Sequence, residues 1–176
     1  MNNSTILTVD SAAKRLQVKE IAILIAASVF LQFIIHLMPP AGGVPLGAVL
    51  LPMFYIPLIA VIFYKFHTAL VVTAFGPILN YIVTGSPELG VVPLLTFEVL
   101  LFVLTLTVLS KYGRFSSVGA LISILAALVI SPLVLGIFNS SGFSASFLLI
   151  SLENAVPGII IITVMNIFLL RLREKF

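Results

Sequence analysis

Six long apolar segments, separated by short polar breaks, constrain the fold of this chain more than any other feature. The segments cover residues 18–38, 46–64, 67–85, 90–110, 117–138 and 146–170. Each is about 20 residues long or longer, and a helix of that length crosses the roughly 30 Å hydrocarbon core of a bilayer. Because 61% of the chain is hydrophobic and only 9% is charged, a water-soluble fold would leave too much apolar surface uncovered. The sequence therefore predicts an all-α membrane protein, a six-transmembrane-helix bundle.

The distribution of basic residues predicts the orientation of the bundle. All nine lie at the two ends of the chain or in the second and fourth breaks: Lys14, Arg15, Lys19, Lys65, Lys111, Arg114, Arg171, Arg173 and Lys175. Since cytoplasmic loops of membrane proteins are enriched in lysine and arginine, both termini are predicted to be cytoplasmic. We expect a cytoplasmic N-terminal segment (1–17), a transmembrane domain (18–170) and a cytoplasmic C-terminal tail (171–176).

Several classes of chemistry are disfavoured by what the sequence lacks. The chain has no cysteine, so it offers neither disulfides nor thiolate metal ligands. His36 and His67 are too far apart for a local metal-binding motif, and no GxxxxGK[ST] phosphate-binding loop is present. We therefore expect no metal site, no cofactor and no enzymatic activity, and any energy-requiring step must draw on a partner.

Two glutamates lie inside predicted membrane segments, where an ionisable side chain is costly and usually faces a cavity or the bundle interior. Glu98 and Glu153 each lie about seven residues from the outer end of their segment, roughly 10 Å deep, which predicts a shared site. The other polar residues of the outer halves complete the candidate substrate-binding set: Asn154, Asn80, Tyr81, Gln32 and His36. The alternative is that these side chains only join helices by hydrogen bonds or, for His36, are solvated at the interface.

Polar residues are distributed unequally between the two ends of the predicted bundle. The inner halves contain few strongly polar side chains besides Asn166, whereas a pore or proton relay needs polar groups along its whole path. Pro77, Pro93 and Pro157 lie near the outer polar residues. Such prolines are typical of bent helices that line a binding site, although membrane helices tolerate proline in general. The pattern predicts a polar cavity at the outer face.

A second motif lies in the cytoplasmic half of the first segment, where Ala22 and Ala26 are four residues apart. Small residues at this spacing form a flat strip on which another helix packs closely. We expect the strip to contact a partner subunit, and the alternative is packing within the bundle.

Six helices in 176 residues, cytoplasmic termini, the alanine pair and outer polar groups together resemble the substrate-binding S component of energy-coupling-factor micronutrient transporters. The resemblance implies a high-affinity solute-binding subunit of an ATP-driven importer in a bacterial or archaeal inner membrane. It implies that Ala22 and Ala26 form the family's A-x-x-x-A motif, which contacts a transmembrane coupling subunit joined to two cytoplasmic ATPase subunits. In that family the substrate pocket lies near the outer face and is closed by loops such as residues 39–46 here.

The residues also favour a class of substrate. The outer half contains two glutamates but no lysine or arginine, which favours a cationic or nitrogen-rich heterocyclic molecule. Against this, the second, fourth and sixth predicted helices point their N-termini outward, and helix N-termini attract anions. Three other functions stay open: a proton-coupled secondary transporter using Glu98 and Glu153, an intramembrane enzyme using His36 with a glutamate, and a scaffold without a ligand.

Overall fold

The computed structural model describes residues 3–112, 117–138 and 145–175 of the chain. Within these ranges the chain contains no β-strand, so the predicted all-α class is confirmed. Four helical stretches of the described chain are long and apolar enough to cross a membrane: Arg15–His36, Phe66–Thr84, Leu89–Ser110 and Leu148–Arg173. Two shorter apolar helices are Pro52–Phe63 and Gly119–Val134. Arg114 and most of the last predicted break lie outside the described residues.

The described α-helices, numbered in chain order, follow the predicted apolar segments closely. They are α1 (Asn3–His36), α2 (Leu46–Leu50), α3 (Tyr55–Phe63), α4 (Phe66–Thr84), α5 (Val92–Ser110), α6 (Gly119–Phe138) and α7 (Ala145–Arg173). Two 3-10 helices, Pro52–Phe54 and Leu89–Val91, lead directly into α3 and α5. α1 begins at Asn3 and continues into the first apolar segment without interruption, whereas the sequence places the start of that segment at residue 18.

The second predicted helix is interrupted. Instead of one helix over 46–64, the chain forms α2, a left-handed residue at Leu51 (φ 53°, ψ 46°), the first 3-10 helix and α3. Pro52 explains the interruption, because proline disfavours the right-handed helical conformation in the preceding residue and has no N–H to donate. Across this turn the Tyr55 hydroxyl donates a hydrogen bond to the Leu50 carbonyl. The prediction of a continuous second helix is therefore wrong.

The helices α1, α4, α5, α6 and α7 follow one another around a ring. The interrupted segment, from α2 to α3, packs between α7 and α1 and so completes the ring. α4 lies between α1 and α5, and α6 lies between α5 and α7. α2 packs against α7, while α3 contacts α1, α4, α5 and α7. At the far end of α7, Asn166 Nδ2 donates to the Ser117 carbonyl at 3.1 Å, which ties α7 to the start of α6. This arrangement gives the bundle two distinct ends.

An apolar layer separates these two ends. Phe54 of the first 3-10 helix and Phe102 of α5 are fully buried, and their rings pack edge to face with centroids 5.2 Å apart and an interplanar angle of 82°. Such a pair contributes about 0.5–1.5 kcal/mol beyond the burial of its area. Leu58, Val99 and Val103 are also fully buried. The centre of the bundle is therefore a packed core.

Gly158 is the point where α7 meets the interrupted segment. A Cβ atom built at Gly158 would lie 2.8 Å from the carbonyl carbon and oxygen of Leu50, and 2.8 Å from Leu51 Cγ. These distances are shorter than van der Waals contact, so the close approach of α2 to α7 requires the absence of a side chain. Glycine at this position thus fixes the interrupted segment against α7.

We expect Gly158→Ala to destabilise the protein by about 1–3 kcal/mol, because the backbone of α2 or α7 must shift to admit the methyl group. Thermal unfolding of the purified chain in a mild detergent measures the change. Gly90→Ala is the control, since a Cβ atom built at Gly90 meets nothing within 4 Å. Equal melting temperatures for the two variants would contradict the close approach.

Candidate functional site

A cavity of about 370 Å³ occupies the end of the bundle where α1 and α4 finish and α5 and α7 begin. Every described α-helix except α3 contributes to its wall. The polar residues of the wall are Gln32, His36, Asn80, Ser86, Glu98, Ser151 and Asn154. The rest of the wall consists of leucine, proline, valine, methionine, alanine and glycine. A mostly apolar cavity with a few convergent polar groups is typical of a small-molecule site.

Five of the seven residues predicted to bind substrate line this cavity: Gln32, His36, Asn80, Glu98 and Asn154. They come from α1, α4, α5 and α7, and they meet because each lies in the part of its helix nearest the cavity end. Tyr81 and Glu153 are not part of the wall. That the five bind a solute stays a prediction.

Glu153 does not line the cavity that Glu98 lines, although the two residues were expected to lie at equal depth. The cavity face of α7 carries Ser151 and Asn154, and Glu153 lies about 100° around the helix axis from Asn154. The Glu153 side chain is exposed on the surface of the bundle, as is the side chain of Ile160 two turns later on α7. One carboxylate, rather than two, therefore faces the cavity.

Glu98 is that carboxylate, and it is only 7% exposed. The Ser131 hydroxyl of α6 is placed to donate either to Glu98 Oε1 at 3.1 Å or to the Ala127 carbonyl at 2.7 Å. The second carboxylate oxygen, Oε2, has no hydrogen-bond partner among the residues that the structure describes. Glu98 can therefore accept a hydrogen bond from a molecule in the cavity.

Asn80 is 1% exposed and is held by the loop that follows α4. Its Nδ2 donates to the Ser86 carbonyl at 2.9 Å, and the Thr84 hydroxyl donates to the Asn80 carbonyl at 2.7 Å. Gly85 ends α4 with φ of 70°, which glycine adopts without strain, and so turns the chain back towards Asn80. Asn80 Oδ1 is buried and has no partner within the described chain. Tyr81 is half-buried and does not reach the cavity.

Gln32 and His36 lie one turn apart on the cavity side of α1. Gln32 is 2% exposed, and its Nε2 donates to the carbonyl and hydroxyl oxygens of Ser28, both at 3.3 Å. His36 Nδ1 donates to the Gln32 carbonyl at 2.8 Å. The imidazole lies beside Gly47 of α2, where a Cβ atom would be 3.6 Å from His36 Cε1. Because His36 is exposed as well as part of the wall, it marks the mouth of the cavity.

Sequence reasoning missed two polar residues of the wall, Ser86 and Ser151, and two residues of α6, Ser131 and Pro132. Ser131 supports Glu98, while Pro132 and Ser151 are part of the wall. Pro132 lies inside α6 and has no N–H for the carbonyl of Leu128, which also lines the cavity. A signal was present in α6, because Ser131 is followed directly by Pro132 at about the depth of Glu98.

In the described part of the chain, no group of three or more histidine, cysteine, aspartate or glutamate side chains is arranged to hold a metal ion. Comparisons with protein-family models, with curated protein sequences and with solved structures found no match for this chain. Function must therefore be inferred from the chemistry of the cavity and from the distribution of charge along the chain.

We expect Ser131→Ala to lower the stability of the protein by about 1–3 kcal/mol, because it removes the partner of the buried Glu98 carboxyl group. Ser123→Ala is the matched control on the same helix. Ser123 is equally buried, but its hydroxyl has no partner in the described residues, so its removal should be neutral or stabilising. Thermal unfolding in detergent compares the two, and an equal loss in both variants would exclude a supporting role for Ser131.

Proposed function

We propose that this chain is the membrane-embedded solute-binding subunit of an ATP-driven micronutrient importer, as in energy-coupling-factor transporters. The observation that carries the proposal is the cavity, in which polar side chains from four helices converge at one end of an apolar bundle. Beneath them, Phe54 and Phe102 belong to a packed apolar layer. A channel or proton-coupled transporter needs polar groups along its whole path, so an apolar floor favours a binding subunit that depends on a partner.

The proposed orientation places the cavity at the outer face and both termini in the cytoplasm. We propose six spans, in which α6 and the interrupted segment from Leu46 to Phe63 cross the membrane beside the four longer stretches. α6 has 20 residues, and a helix of that length is about 30 Å long. The loops at the cavity end, 37–45 and 85–88, contain no lysine or arginine, whereas Lys65 and Lys111 lie at the opposite ends of α4 and α5. The positive-inside rule supports this orientation.

The proposed substrate is a cationic or nitrogen-rich heterocyclic micronutrient. Glu98 is the only acidic residue of the cavity wall in the described chain, and no lysine or arginine belongs to that wall. A carboxylate removed from water is stabilised by a cation or by hydrogen-bond donors. Because Glu153 is exposed, the proposed preference for a cationic substrate depends on Glu98 and its neighbours.

The proposed partners are a transmembrane coupling subunit and two cytoplasmic ATPase subunits. Ala22 and Ala26 are both exposed on α1, in the half of the helix remote from the cavity. Their exposure argues against the alternative that this pair serves packing within the bundle. Ile23, beside them, is 68% exposed, so this part of α1 presents an apolar surface with a shallow strip. Such a strip suits close packing of another membrane helix.

The test is whether ATPase activity co-purifies with the chain. An affinity-tagged chain is expressed in its own host, extracted in mild detergent and assayed for ATP hydrolysis. We expect activity with the wild-type chain and a loss of at least about tenfold with the double substitution Ala22→Leu and Ala26→Leu, because the leucines hold a neighbouring helix away. Val164→Phe is the control, since it enlarges a 60% exposed side chain on α7 instead.

Two results would contradict the proposed function. No ATPase activity with the wild-type chain would separate this protein from ATP-driven importers. Full activity with the double alanine variant would remove α1 as the contact surface.

A further inference from the structure

Three side chains of the cavity wall direct their hydrogen-bond donors into the protein. Gln32 Nε2 donates to the Ser28 carbonyl at 3.3 Å, and Asn80 Nδ2 donates to the Ser86 carbonyl at 2.9 Å. His36 Nδ1 donates to the Gln32 carbonyl at 2.8 Å. In each case the partner is a backbone oxygen of the same helix or of the adjoining loop.

The chemistry of these partners fixes the orientation of all three side chains. A carbonyl oxygen only accepts hydrogen bonds, so the group that faces it must be an N–H. The amide orientations of Gln32 and Asn80 follow from this, and so does the proton on His36 Nδ1. In the neutral imidazole the other nitrogen, His36 Nε2, is then an acceptor.

The groups left without a partner on this side of the cavity are all acceptors. They are Gln32 Oε1, Asn80 Oδ1 and, in the neutral imidazole and the ionised carboxylate, His36 Nε2 and Glu98 Oε2; none of these atoms has a hydrogen bond in the described chain. Asn80 Oδ1 is unpartnered but has less than 1 Å² of accessible surface, so a molecule in the cavity does not reach it, and the inference rests on the other three acceptors.

The α7 side of the cavity adds no side chain that is fixed as a hydrogen-bond donor. Ser151 and Asn154 of α7 have no hydrogen bonds to other described residues, so each is free to donate or to accept. No lysine or arginine belongs to the described wall, and the hydroxyl of the remaining polar residue, Ser86, can also either donate or accept. Among the side chains of the described cavity wall, none is therefore a fixed donor, whereas acceptors that a molecule in the cavity can reach come from α1 and α5.

We infer that the ligand of this cavity is a compact molecule with several N–H donors on one face, such as an amidine, an aminopyrimidine or an alkylammonium-bearing ring, and not a carboxylate or phosphate. The inference rests on the proposed function in that it treats the cavity as a solute site. A volume of about 370 Å³ suits a molecule of one or two rings. Gln32 Oε1, His36 Nε2 and Glu98 Oε2 orient such a donor face, while the apolar remainder of the wall packs on the ring.

The test uses two probes of equal shape and opposite hydrogen-bonding character. Benzamidinium carries four N–H donors on a planar ring, and benzoate carries two acceptor oxygens on the same ring. Calorimetric titration of the purified full chain, in a neutral maltoside detergent, measures the Kd of each probe. We expect benzamidinium to bind at least about tenfold more tightly than benzoate.

Two matched variants locate the bound probe. Glu98→Gln should weaken benzamidinium binding by about tenfold, because it replaces the carboxylate by a group with one acceptor and one donor. Glu153→Gln makes the same change at the exposed site on α7 and should leave the Kd within about twofold. An equal loss in both variants would show that the cation binds outside the cavity and would overturn the inference.

The remaining outcomes separate this inference from the proposed function. Benzoate binding as tightly as benzamidinium, or more tightly, would overturn the donor-face inference and leave a solute-binding subunit in place. Absence of binding by either probe would overturn the inference and count against a solute site in this cavity. Co-purifying ATPase activity is an independent readout, so its loss would refute the importer while leaving the ligand chemistry unaffected.

Discussion

A polar group inside a membrane must find a partner or face a cavity, and this constraint organises the whole bundle. The centre is packed with apolar side chains around the Phe54–Phe102 pair. The buried amide and carboxyl side chains of Gln32, Asn80 and Glu98 lie on one side of this layer and line the cavity. Asn166, beyond the layer, is tied to the backbone before α6. The bundle therefore has one polar, concave end and one end marked by basic residues.

The interrupted segment, which runs from α2 to α3, supplies much of the cavity wall. Backbone that is not helical is tolerated at membrane depth only where it is buried in protein or lines a cavity. The break at Leu51 meets this condition, because the adjoining Leu50 backbone contacts α7 at Gly158 and because Leu51 and Met53 line the cavity. An uninterrupted helix over this stretch would present a regular surface instead. Pro52 thus couples a local backbone preference to the shape of the site.

The sequence alone predicted the helical class and the approximate position of each apolar segment, because length and composition determine both. It also predicted which end of the bundle holds the polar residues, since depth follows from counting along a helix. It could not predict on which side of a helix a residue lies relative to its neighbours. That is why Asn154 reaches the cavity and Glu153, at the same depth, does not.

Other features needed the structure for different reasons. The partnership of Ser131 with Glu98 joins two helices, and the sequence contains nothing that pairs these two residues. The direction of the Gln32 and Asn80 amide groups depends on backbone carbonyls near each side chain. The break at Leu51 was predictable in principle from Pro52, but the surrounding apolar run masked it. The sequence thus indicates local backbone preferences such as the break before Pro52, but it does not indicate which side chains of different helices contact each other.

The central claim is that the cavity opens to the outside of the cell, and single-cysteine labelling tests it most directly. The chain contains no cysteine, so one introduced thiol gives an unambiguous signal. Intact cells are treated with a small, membrane-impermeant methanethiosulfonate after Glu88→Cys, Ser151→Cys or Lys65→Cys. We predict labelling of the loop position Glu88→Cys and of the cavity position Ser151→Cys from outside, and labelling of Lys65→Cys only after permeabilisation. Labelling of Lys65→Cys in intact cells, with Ser151→Cys reached only after permeabilisation, would contradict the account.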